Sequence, residues 1–75
     1  MGLQMAVSRT LSSIDDAIKW LEEKERYLKD HKSDLGTIYM LEREIHLDDR
    51  EIPATDWPKF SGQPGAFRAY FITSD

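Results

Sequence analysis

The chain has 75 residues, of which 40% are hydrophobic and 32% charged, with a formal net charge of −4 and no cysteine. That length limits it to one small domain and leaves little room for the walls of an enzyme cleft. Disulfides and thiolate-bound zinc are excluded, and no apolar run approaches the ~18 residues of a membrane-spanning helix.

The charge is unevenly placed. Residues 1–33 carry six Lys/Arg and six Asp/Glu, whereas residues 34–75 carry four and eight. A negative second half repels phosphate and so disfavours nucleic acid; it suits a protein partner with a basic surface. Cysteine-free composition is compatible with a reducing compartment, and a cytoplasmic location is expected.

Residues 1–10, MGLQMAVSRT, lack the basic start and apolar stretch of a signal peptide. Ala6 stands where a myristoylation signal has Ser or Thr. Met5 is an alternative start. We read 1–10 as a flexible N-terminus and 11–75 as the single domain.

The spacing predicts a helix from about 13 to 31. Ser13 followed by Asp16 resembles a capping box. Asp15 and Asp16 suit the first turn, and Lys29, His31 and Lys32 the last. Ile14, Ala17, Ile18, Leu21 and Leu28 make one apolar stripe. Ser33 to Gly36 would close the helix, with Gly36 as a left-handed cap.

Residues 37–47 fit two patterns. As a strand, Tyr39, Leu41, Ile45 and Leu47 share one face, interrupted by Arg43, and Met40, Glu42, Glu44 and His46 share the other. Asp48-Asp49 would then turn the chain into a second strand at 50–54. As a helix, Leu35, Ile38, Leu41 and Ile45 also recur. We favour the strand. Pro53, Pro58, Gly62, Pro64 and Gly65 mark the next stretch as loop. Residues 66–73, AFRAYFIT, then read as a strand with Phe67, Ala69 and Phe71 on the core side.

The expected fold is therefore α+β: one N-terminal amphipathic helix on a small, mainly antiparallel sheet of about three strands. The alternative is a helical hairpin, about 13–31 and 34–47, with a loop-rich aromatic tail.

Catalytic patterns are weak. Glu42, Glu44, Asp48, Asp49 and Glu51 crowd ten residues without a calcium-loop pattern. His46 has Glu44 two positions away, but no serine lies in a nucleophile context. His31 and His46 cannot form a metal site by themselves. Gly65 to Phe71 departs from the base-stacking strand of RNA binders, because Pro64 stands where that pattern has a base. No enzyme activity, metal or cofactor is expected.

Five of the eight aromatics, Trp57, Phe60, Phe67, Tyr70 and Phe71, lie within fifteen residues. We assign Phe67 and Phe71 to the core. Trp57, Phe60, Tyr70 and Ile72, rimmed by Asp48, Asp49 and Glu51, are the expected partner-binding surface, with aromatic anchors and an acidic rim. The expected role is modulator or inhibitor of a larger protein; a self-associating dimer is the alternative, and a single-stranded nucleic-acid binder, which the charge balance opposes, is a third.

Overall fold

A computed structural model of the chain describes residues 2–31 and 38–74. The helix forms where its signals place it: α1 runs Ile14–Asp30. Ser13 keeps an extended backbone, and its Oγ accepts the Asp16 N–H at 3.2 Å. At the other end, the His31 N–H donates to the Tyr27 carbonyl at 3.0 Å. Ile14, Ala17 and Leu21 are buried, and Ile18, Trp20 and Leu28 pack at the edge of the core. Glu25 reaches across to Arg43 of the sheet at 2.8 Å. The expected Gly36 cap lies outside the described residues.

The ambiguous middle segment is a strand. β1 (Leu3–Val7), β2 (Tyr39–Leu47), β3 (Arg50–Ile52) and β4 (Phe67–Ser74) form one sheet in the order β1-β4-β2-β3, with every neighbouring pair antiparallel. The arrangement is α+β, with four strands rather than about three. The additional strand comes from within residues 1–10, the stretch expected to lie outside the domain: Leu3–Val7 pairs along β4 from Leu3↔Ser74 to Val7↔Tyr70. Its uncharged alternation is short and weakly apolar, so it forms only because β4 offers a partner.

The hairpin between β2 and β3 turns through Asp48 and Asp49, whose φ values are 50° and 67°. Positive φ at both loop residues is what a two-residue type I′ turn needs, and aspartate tolerates it better than most side chains. One register detail reverses an expectation. The β2–β4 pairing slips between Met40 and Glu42. Arg43, Ile45 and Leu47 oppose Phe71, Ala69 and Phe67 on the core face, but beyond the slip Met40 takes that side and Tyr39 does not. A bulge adds one residue and flips the strand's parity.

α1 packs on one face of the sheet, against β4 and β2. Ile14, Leu21, Ile45 and Phe67 are fully buried between the layers, each contributing about 1.5–3 kcal/mol. A 3₁₀ segment, Ala54–Phe60, closes one end of this layer. Trp57 is 9% exposed, and its indole N–H donates to the Ile52 carbonyl at 2.9 Å. Ser61 Oγ donates to the Asp15 carboxylate at 3.2 Å, tying the loop after that segment to the start of the helix. Among the described residues, no helix is long and apolar enough to cross a membrane.

Candidate functional site: the uncovered sheet face

Because Phe67, Ala69 and Phe71 point toward α1, the alternation of β4 sends Arg68, Tyr70 and Ile72 to the opposite face. Residues paired directly across an antiparallel ladder share a face. Leu3, Met5 and Val7 of β1 therefore join this side, opposite Ser74, Ile72 and Tyr70. From β2 come Glu42, Glu44 and His46, opposite Ile72, Tyr70 and Arg68. Glu51 of β3 stands directly opposite His46. No described element covers this face.

The face has two halves. The β1 half is apolar and accessible: Leu3, Met5 and Val7 are 74%, 60% and 44% exposed. Tyr70 and Ile72 are half-buried between the halves. The β2–β3 half is acidic around one imidazole. His46 Nε2 and Glu44 Oε1 are 2.9 Å apart, and the Tyr70 ring packs on the His46 ring with centroids 4.2 Å apart. The ligand atoms of Glu44, His46 and Glu51 all lie within 4.8 Å of one another. A carboxylate–imidazole–carboxylate set of this kind has the donor types that hold a divalent cation. The Glu44 carboxylate, hydrogen-bonded to Glu42 and negatively charged, holds the Glu42 carboxyl above its ordinary range, and the charge of Glu51 pushes the same way. Arg68, across from His46, turns to Thr10 instead, its Nη2 donating to Oγ1 at 3.3 Å. A depression of about 220 Å³ adjoins His46, lined by Thr10, Asp48, Asp49, Ala66 and Arg68.

The residues expected to form one binding surface are divided by the sheet. Tyr70, Ile72 and Glu51 lie on the uncovered face, and Asp48 and Asp49 stand exposed at its corner. Trp57 belongs to the core and Phe60 packs against it, both on the helix side. Trp57 is therefore a buried plug, not an exposed anchor: its apolar ring fills the gap beside Ile52 and its N–H is satisfied there. Leu3, Met5 and Val7 lie in the stretch expected to be a flexible N-terminus; the short alternation L-x-M-x-V is the one feature of the sequence that fits their strand. Glu44 and His46 share one strand face in the sequence pattern itself; what the sequence does not reveal is that Glu51 returns opposite His46.

The chain matches no protein-family model, no curated protein and no solved structure.

Proposed function

We propose that the chain is a small non-catalytic protein-binding module that modulates a larger protein through its uncovered sheet face. The observation that carries this reading is the row Leu3, Met5, Val7, Tyr70 and Ile72, an accessible apolar strip bordered by Glu42, Glu44 and Glu51. Apolar and aromatic side chains supply the buried area of an anchor, while carboxylates at the margin favour a basic partner and speed encounter. The partner implied is a protein with an apolar centre and a basic border on one side. A cytoplasmic location belongs to the same proposal, since a cysteine-free chain is compatible with a reducing compartment.

The test is affinity capture with the wild type and with Ile72→Glu. A partner bound by the wild type should be lost with Ile72→Glu, and its association should slow as salt is raised. A partner retained undiminished by the variant would assign binding to another surface.

A second reading, self-association, is favoured by one observation. The Ser8 N–H donates to the Ala69 carbonyl at 2.9 Å. Bonded residues alternate along an antiparallel strand, so Leu3, Met5 and Val7 direct their backbone groups away from β4, toward the open edge. β1 carries no charge and no proline, the usual guards of an edge strand. The opposite edge, β3, is three residues long, holds Arg50 and Glu51, and is followed by Pro53. A second copy pairing antiparallel about Met5 would join the two apolar strips and leave the acidic strands far apart.

A further inference from the structure

We propose that Glu44, His46 and Glu51 form a binding site for one zinc-class divalent cation. The site is a product of strand geometry. Glu44 and His46 are two residues apart on β2, which places both side chains on the uncovered face, and Glu51 is the direct cross-strand partner of His46. Three ligand atoms from two adjacent strands already lie within 4.8 Å of one another. In a tetrahedral zinc site, with ligands about 2.1 Å from the metal, neighbouring ligand atoms stand about 3.4 Å apart. Glu51 is the exposed member of the three, so its side chain has room to turn toward the other two.

The donor set selects the cation. One imidazole nitrogen with two carboxylate oxygens suits zinc and its transition-metal neighbours; magnesium and calcium prefer all-oxygen shells. Three protein ligands leave the fourth position to water. The imidazole is held in place, because Tyr70 packs against its ring.

The charge around the site is a separate observation. The Glu44 side chain is only 17% exposed; Glu51 stands close to it, and Glu42 is two residues away on the same face. Among the described residues, no Lys or Arg forms an ion pair with any of these three carboxylates: Arg43 is engaged by Glu25 on the other face, and Arg68 bonds Thr10. Glu44 meets the His46 imidazole at 2.9 Å, and a bound cation would take both groups as ligands. A divalent cation at this point neutralises Glu44 and Glu51 together. The proposal does not rest on the protein-docking reading.

The experiment is calorimetric titration of the protein with ZnCl₂, with MgCl₂ as the comparison. One saturating site for zinc and none for magnesium is expected. Glu51→Gln should weaken zinc binding by at least the roughly tenfold seen when a group that merely supports a ligand is lost; because Glu51 is exposed, its variant keeps the fold. His46→Gln should do the same, whereas His31→Gln should leave the affinity unchanged. Absence of saturable zinc binding at millimolar metal would overturn the proposal. So would equal binding of magnesium, or an undiminished affinity in Glu51→Gln.

Discussion

Ser8 and Ala69 exchange two hydrogen bonds, one of them through a side chain. The Ser8 N–H donates to the Ala69 carbonyl at 2.9 Å, and the Ala69 N–H donates to Ser8 Oγ, also at 2.9 Å. The hydroxyl in turn donates to the Arg9 carbonyl at 2.7 Å. Beyond this point Leu11 and Phe67 bond each other's backbones, so the segment stays on β4 past the end of β1. Ser8 thus spans an irregular step in the ladder at a buried position.

Ser8→Ala should therefore be costly for so small a change. It leaves the buried Ala69 N–H with no acceptor, a penalty of about 1–3 kcal/mol. Urea unfolding of the two proteins measures it. A difference below the error of the fit would mean that backbone or water replaces the hydroxyl.

Asp49→Gly should stabilise the protein. Both turn residues sit at positive φ, a conformation that strains a side-chain-bearing residue by about 1 kcal/mol and that glycine adopts freely. Part of the gain is offset by the greater freedom of glycine in the unfolded chain, so the net rise should be a fraction of that value. A fall in the unfolding midpoint would show that the Asp49 side chain is itself a contact.

Trp57→Ala and Tyr70→Ala should fail differently. The first empties a core position and removes the donor to the Ile52 carbonyl, costing about 3–5 kcal/mol of a total that is small for a domain of this size. The second removes a half-buried ring from the uncovered face. It should preserve the fold and weaken partner binding by about 2 kcal/mol. Thermal melting of both variants separates the roles; equal destabilisation would show that Tyr70 is structural.

Met5→Lys tests the edge. Met5 is exposed, so the variant should match the wild type in stability to within about 0.5 kcal/mol. A lysine on an open edge blocks strand pairing. If copies pair through β1, the wild-type mass measured by sedimentation rises with concentration and the variant stays monomeric. A wild-type mass independent of concentration would remove the self-association reading.

Residues with strong local signals declared their structure in the sequence. Ser13 and the stripe from Ile14 to Leu28 specify α1, and the alternation of Phe67, Ala69 and Phe71 specifies the core face of β4. Ile45 and Leu47 also fall on the face assigned to them. Tyr39 does not, because a bulge is a property of two strands in register and leaves no mark in one. Leu3–Val7 departs from the expected flexible N-terminus for a related reason. A five-residue edge strand has little preference of its own and exists through the strand beside it. The candidate site was partly visible, as acidic residues near His46. Its convergence depends on cross-strand pairing, and its separation from Trp57 depends on which side of the sheet the 3₁₀ segment closes.

The strand order has a kinetic consequence. β4 is made after every other described element, yet it lies between β1 and β2 and joins them. A nascent chain stopped before Phe67 holds a helix and a short hairpin with no sheet in common. Pairing of Leu3 with Ser74 closes a loop that contains nearly all the intervening chain, and the entropy of that closure precedes its reward. Folding therefore waits for β4 to be made, and until then Ile14, Leu21 and Ile45 lack the strand they pack against.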